Sequence, residues 1–247
     1  FGLFASAGVG HFDVSTSFPK LFLEWQKLRE TKVDMNFLVS LSQHLLSIAN
    51  IRNKLLFFPN NSIYKVGNKI RYIEHETIGF KRDYFISSAP ISKELEKIID
   101  SAKEGKTILQ LTDLIKNNET SFKEEMEYID ELIENRVLVS ELEPNVSCAD
   151  YLDAIIIILN RIEAHREKSI LLTLQDKIKK LDNNFSNSIT IYKEIEKLVN
   201  TLTVKYEQKY LFQTDLYCDN NVKLSYHWKK ELKKGISFLN KLFCLIL

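Results

Sequence analysis

Three helix starts are written plainly into one stretch of this sequence, and they limit its fold more than any other feature. Ser92 can cap a first helix that Gly105 stops. Thr107 with Gln110, and Ser121 with Glu124, form capping boxes, in which each partner satisfies a backbone donor freed at a helix start. The third helix carries Phe122, Met126, Ile129 and Ile133 at helical spacing and runs into Val137-Leu138-Val139, a β-like stretch closed by Pro144. Upstream, residues 62–66 and 69–76 are β-rich runs on either side of Gly67-Asn68, the two-residue signal of a tight hairpin. Gly79 marks the next turn, and 81–88 supplies a third strand, with Tyr84 and Ile86 on one face and Phe85 on the other. Three strands, three helices and a trailing strand predict a winged helix over 62–144. The fold class expected is α+β, mainly helical, with this module embedded in it.

The flanks read more simply. Residues 1–13 mix aromatic, small and glycine residues and suggest a strand bent at Gly8 and Gly10, with Pro19 in the connection after it. Asp34 caps a helix whose apolar series is Phe37, Leu38, Leu41, Leu45 and Ile48. After Asp150 the chain is helical over 151–164, 168–181 and 188–202, with an Asn/Ser loop before the last of these. A strand over 210–217 and a final helix over 227–242 follow.

Composition excludes several classes. Apolar residues make up 45% and charged residues 27%, which is enough apolar surface to fold. The net charge of +1 gives no global field toward nucleic acid or membrane, so partners must be argued from local charge. Cys148, Cys218 and Cys244 have no paired spacing; they read as inert thiols in a reducing compartment, the cytoplasm. No basic-start signal peptide is visible, and the apolar run at 154–159 is far short of the ~20 residues a membrane helix needs. His11, His44, His75, His165 and His227 are scattered, and no metal is expected. No phosphate loop, dinucleotide fingerprint or nucleophile elbow occurs, so no catalytic residue is assigned. Both ends look cut: the chain opens on Phe1 and closes on the apolar Phe243-Cys244-Leu245-Ile246-Leu247. The expectation is one piece of a larger protein.

Local charge decides what a winged helix could bind. Between residues 122 and 136 the third helix holds Glu124, Glu125, Glu127, Asp130, Glu131 and Glu134 against Lys123 and Arg136, six minus two, or −4. Such a helix is repelled by phosphates, which argues against DNA readout. The alternative is a peptide added as a further strand to the open edge of the third strand, with the helix as one wall. An acidic wall favours a ligand with Lys or Arg among its apolar anchors. A solvated acidic face accounts for the same residues. On this reading Tyr84 and Ile86 on the strand, with Glu125, Tyr128 and Leu132 on the helix, are the candidate peptide-binding residues. A second cluster, Lys223, Lys229, Lys230, Lys233, Lys234 and Lys241 against Glu231, is six minus one, or +5, interleaved with Tyr226, His227 and Trp228. That mixture suits either RNA or an exposed helix face.

Phe1-Gly2-Leu3-Phe4-Ala5 followed by Gly8-Val9-Gly10 resembles the Thr-Pro-Phe-Gly-Leu-Phe-Ala-Gly stretch of the lantibiotic dehydratases. Val33-Asp34-Met35-Asn36 is similar to the Leu-Asp-Met segment that follows it in that family. Ser140-Glu141-Leu142-Glu143-Pro144-Asn145 resembles the exit from the family's peptide-recognition winged helix, and Gln213-Thr214-Asp215-Leu216 a later strand motif. The similarities keep the family's order and run nearly end to end.

The resemblance implies a function that composition could not show. The family's N-terminal domain moves glutamate from glutamyl-tRNA onto Ser and Thr hydroxyls of a ribosomal precursor peptide. A C-terminal domain then eliminates it, leaving dehydroamino acids, and the winged helix binds the leader segment of the precursor. The implied layout is 1–61 as the start of the glutamylation-domain core, 62–144 as the leader-recognition element and 145–247 as a helical continuation. The implied partners are a precursor peptide and glutamyl-tRNA, the latter as co-substrate with no bound cofactor. DNA is not among them, and two copies pair as a homodimer. Two departures stand out: Ser6 occupies the family's glycine position, and the basic residues expected before the motif would precede Phe1. A non-catalytic leader-binding module, or a decayed remnant, is the competing reading; a DNA-binding regulator is a third, opposed by the −4 helix.

Overall fold

A computed structural model describes residues 11–13, 26–78, 81–117, 120–144, 150–183, 187–219 and 223–244. In chain order its elements are β1 (His11–Asp13), β2 (Gln26–Val33), α1 (Met35–Ser47), α2 (Ala49–Arg52), β3 (Phe57–Pro59), β4 (Tyr64–Val66), β5 (Lys69–Ile78), β6 (Lys81–Pro90), α3 (Lys93–Ala102), α4 (Ile108–Ile115), α5 (Phe122–Glu134), β7 (Leu138–Ser140), α6 (Tyr151–Arg161), α7 (His165–Asp182), α8 (Ile189–Asn200), β8 (Phe212–Asp219), β9 (Lys223–Ser225) and α9 (Tyr226–Cys244). The class is α+β, mainly helical with a small three-stranded sheet, as the sequence predicts. Of the strand expected over 1–13, β1 lies within the described residues. The bends at Gly8 and Gly10, the motif from Phe1 to Ala5, the turn at Gly79 and the Asn145 end of the exit motif lie outside them.

The chain forms two compact units. One comprises 1–32, 176–189 and 212–247. Here β1 pairs in parallel with β9, and β2 lies beside β8. Gln-Lys-Leu-Arg-Glu-Thr-Lys-Val gives β2 little apolar alternation, so periodicity does not reveal it. Its position is held by Asp182 at the end of α7. That carboxylate accepts from Arg29 Nε at 3.2 Å, Thr31 N at 2.8 Å and Thr31 Oγ1 at 2.6 Å. A negative charge at a helix C-terminus opposes the helix dipole, and these donors offset it.

The other unit, 33–175 and 190–211, carries the larger core. Asp34 caps α1 by accepting from Asn36 N at 2.8 Å, as its sequence position predicts. The apolar stripe of α1 buries Phe37, Leu38, Leu41 and Leu45, each worth roughly 1.5–3 kcal/mol in transfer terms. Phe37 meets Tyr206 edge to face, with ring centroids 5.1 Å apart. Ile155 and Leu159 of α6, with Ile195 and Val199 of α8, are also buried.

Within this unit the winged-helix elements follow the predicted order. β4, β5 and β6 form one antiparallel sheet in that order. Gly67 turns the β4–β5 hairpin with φ +59, at the first central position, where a type II′ turn places its glycine. Ser92 caps α3, and both capping boxes are formed. Gly105 ends the α3 region with φ +74, and a Cβ there would lie 2.7 Å from the Phe58 ring, so only glycine fits. The trailing strand β7 pairs with β3, Phe57 opposite Ser140, rather than with the three-stranded sheet. That pairing joins residues far apart in sequence and has no local signal.

The buried stripe of α5 differs from the predicted one. Ile129 and Ile133 are buried as expected, but Phe122 is 49% exposed, and Glu125 and Leu132 complete the stripe. Both sets fit helical spacing and differ by a small rotation. The rotation is set by the loop before α5, where Glu125 Oε1 accepts from Asn117 N at 3.1 Å and Thr120 Oγ1 at 2.9 Å.

Candidate functional site

The β6 strand is the feature around which a binding site can be built. It pairs with β5 through ten residue pairs, from Lys69 opposite Pro90 to Ile78 opposite Lys81. It ends the sheet, and among the described residues no strand pairs with its other side. A strand edge carries a row of unpaired N–H and C=O groups, a template for another extended chain.

The two faces of this sheet differ. Ile70 and Tyr72 of β5 are buried and mark the face turned into the module. On the same face Ser87 Oγ donates to Glu74 Oε2. The opposite face presents Ile73, Tyr84 and Ile86, exposed by 49%, 65% and 70%. The registers Ile73 with Ile86 and His75 with Tyr84 place these side chains directly across from one another. The Tyr84 ring lies 5.5 Å from the His75 ring.

The five predicted residues therefore separate. Tyr84 and Ile86 share the exposed face beside the open edge. Tyr128 is half-buried near Ser92, just past the end of β6; burial pushes its phenol pKa up. Glu125 and Leu132 point inward instead of forming a wall for a ligand. Glu125 is taken up by the loop donors, and Leu132 by the helical core. A loop rich in backbone donors just before a capping box is the signal that marks Glu125 as structural.

The start of β6 holds a charged cluster that sequence reasoning missed. Glu143, after β7, accepts from Arg82 Nη1 at 2.8 Å and from Arg136 Nη1 at 3.1 Å. Arg136 adopts a left-handed φ of +59 at the end of α5, and Asn60 Nδ2 donates to its carbonyl at 2.9 Å. His75 sits nearby, its pKa lowered by burial first and then by the Arg136 and Arg82 charges. Tyr84 stands between two clefts. One, of about 600 Å³, is lined by His75, Arg136 and Glu143 among others. The second, of about 710 Å³, lies between α1 and the start of β6 and includes Arg82, His44 and Lys205. Among the described residues no three His, Cys, Asp or Glu side chains are grouped to hold a metal ion. No described helix is long and apolar enough to cross a membrane. An open strand edge beside exposed apolar side chains can pair with an extended chain.

Comparison with known proteins agrees with this architecture. The family model described as "Lantibiotic dehydratase, N terminus" matches residues 1–244, and the chain belongs to that family. The chain is similar to the crystal structure of the tRNA-dependent lantibiotic dehydratase MibB from Microbispora sp. 107891. The TM-score there is 0.69 at 15% identity, covering 92% of this chain and 22% of MibB. It is also similar to the glutamylation domain TbtB from thiomuracin biosynthesis bound to 5'-phosphodesmethylglutamycin, with a TM-score of 0.58 at 9% identity, covering 88% of this chain and 26% of that one. At these identities the likeness is one of fold. The chain thus spans about a quarter of the length of these solved relatives. No curated protein matches it in sequence.

Proposed function

We propose that this chain is the peptide-gripping part of an enzyme that glutamylates Ser and Thr residues of a ribosomal precursor peptide from glutamyl-tRNA. The single observation that carries the reading is the ten-residue β6 with an open edge, flanked by exposed Tyr84 and Ile86. The leader segment adds to β6 as a further strand. Backbone hydrogen bonds supply affinity, while Tyr84, Ile86 and the half-buried Tyr128 receive side chains. Glu125 and Leu132 act from behind by fixing the pose of α5. Residues 62–144 are the recognition element, 1–61 and 145–247 belong to the surrounding glutamylation domain, and the protein works in the cytoplasm as a homodimer.

The chemistry follows from a leaving-group problem. A Ser or Thr hydroxyl leaves poorly, whereas a carboxylate leaves well. The peptide hydroxyl attacks the glutamyl ester carbonyl of the aminoacyl-tRNA. The terminal ribose oxygen leaves and takes up the proton, and the glutamyl ester now sits on the peptide. Later elimination releases glutamate and leaves the dehydroamino acid. One ester replaces another, so most of the gain comes from holding the hydroxyl against the ester. The role of a strand clamp is to raise the local concentration of the precursor.

The test uses the full-length protein, glutamyl-tRNA and a Ser/Thr-containing precursor peptide, with glutamate transfer followed by mass. Tyr84→Ala with Ile86→Ala should raise KM for the precursor by about tenfold, with little change in kcat, because the loss falls on uniform binding. Unchanged KM would sink the strand-addition reading. Leader binding without any glutamate transfer would favour a non-catalytic leader-binding module.

A further inference from the structure

His75 is a titratable side chain that the strand-addition reading does not use. It lies on β5 and lines the cleft of about 600 Å³ together with Tyr84, Arg136, Glu141 and Glu143. The register puts it opposite Tyr84, and alternation puts Arg82, two residues from Tyr84, on the same face of the sheet. Its Nε2 is buried and has no hydrogen-bond partner among the described residues.

The charges around this ring are unbalanced. Arg82 and Arg136 share the one carboxylate of Glu143, two minus one, or +1. Glu141, the other carboxylate of the cleft, is taken by Leu56 N at 2.8 Å and by Arg161. Glu74 and Glu76 flank His75 on β5 but alternate onto the opposite face, as does Asp83 of β6, and Glu74 accepts from Ser87. A neutral imidazole leaves the local sum at +1. A protonated one raises it to two, and gives Nε2 an N–H for which the closed arrangement offers no acceptor among the described residues.

We infer that His75 is an acid-sensitive release for the Arg82–Glu143–Arg136 clasp, which ties the start of β6 to the segment after β7. With the ring neutral, the clasp holds. With the ring protonated, a third cation competes for Glu143, and the β5–β6 hairpin opens more readily at its Arg82 end. Asn60 extends the tie to β5. Its Nδ2 donates to the carbonyls of Ile73 and Arg136, both at 2.9 Å, so a loosened Arg136 is felt on both strands. The device belongs to the hairpin and does not depend on what the sheet binds.

The titration of the ring runs in the same direction. Burial first, and the Arg136 and Arg82 charges next, hold the His75 pKa below its ordinary 6.5, against the opposing pull of Glu143 and Glu74. Opening the hairpin returns the ring to water, where it takes up a proton at the ordinary value. The stabilisation is therefore full above the ordinary value and is lost as the pH falls through the lowered one. From pH ~7.5 to pH ~5.5 the opening equilibrium can grow by up to about tenfold, the limit reached when the closed form stays neutral throughout.

The experiment is hydrogen exchange of the β5–β6 amides in the full-length protein at pH ~7.5 and ~5.5, corrected for the intrinsic pH dependence of exchange. Opening of the hairpin should rise by about five- to tenfold at the lower pH, while α8, which holds no histidine, should change by less than about twofold. His75→Gln keeps a polar side chain but cannot take up a proton, and should flatten the response of the hairpin to below about twofold. His75→Phe removes the orphaned atom, keeps a ring beside Tyr84 and should flatten the response in the same way; it carries the test if the amide variant does not fold. Arg136→Gln takes one cation from the cluster and should cut the response to about two- to threefold. If the hairpin of the unaltered protein responds no more than α8, the inference is overturned. If the His75 variants keep the full response, the acid sensitivity lies in the carboxylates around the clasp, and the inference is overturned as well.

Discussion

α5 and α9 are both long amphipathic helices, and they meet opposite fates. α5 is acidic and buries Ile129, Leu132 and Ile133 along one stripe, against α4 and β7. α9 is basic and carries an equally regular stripe, Trp228, Leu232, Ile236 and Leu239, each of which is more than half exposed. Periodicity alone describes the two in the same terms. The difference lies in long-range partners. α5 packs on α4 and β7 in a folded module, while α9 meets the three-residue strands β1 and β9 within its own unit. An apolar stripe predicts a face and says nothing about what covers it.

The largest expected effect tests the covered stripe. Ile129 is fully buried, and Ile129→Ala removes a branched side chain from a packed site. The cost should be about 2–5 kcal/mol, from lost transfer energy and the cavity left behind. Hydrogen exchange of the α3–α5 amides in the full-length protein reads this as faster local opening. Protection unchanged by the substitution would mean that α5 is not part of a cooperative core.

A second substitution separates burial of charge from burial of carbon on the same helix. Glu125→Ala removes the carboxylate that accepts from Asn117 N–H and from the Thr120 hydroxyl, which also reaches Asn117 Oδ1 at 2.9 Å. Asn117 and Thr120 are exposed, so water takes over their donors and the cost is that of the lost hydrogen bonds, about 0.5–1.5 kcal/mol. Glu125→Gln keeps an acceptor oxygen of the same reach and should cost less than half as much, again by exchange of the α5 amides. Equal losses for both variants would show that the carboxylate charge, rather than its acceptor geometry, holds the loop.

Much of this module can be read from local signals. Ser92, Thr107 with Gln110 and Ser121 with Glu124 cap their helices because capping needs residues only three apart. Gly67 turns its hairpin for a similarly local reason. What is not legible depends on distant residues. The β3–β7 pairing and the Arg82–Glu143–Arg136 cluster leave no periodic trace. β2 hides because its charged side chains break the alternation that marks a strand. Of the candidate site, Tyr84 and Ile86 emerge from strand alternation, since an exposed face follows once the opposite face is buried. Glu125 and Leu132 are candidates because α5 is read as one wall of a peptide site, and spacing alone does not say which side of α5 faces the core. Only the loop donors decide which side turns in.

The smallest effect is the sharpest test of the comparison with α9. Leu239 is 61% exposed, so Leu239→Ser removes little buried surface. Its cost to α9 protection should lie within about 0.5 kcal/mol, the range for exposed positions. The same substitution type at a covered leucine costs several times more, because transfer and cavity terms both apply. A loss near that of Ile129→Ala, measured in the full-length protein, would mean that the stripe of α9 is buried there against some other part of the assembly. The contrast between the two helices would then be one of where the covering surface comes from, and no longer one of covered against exposed.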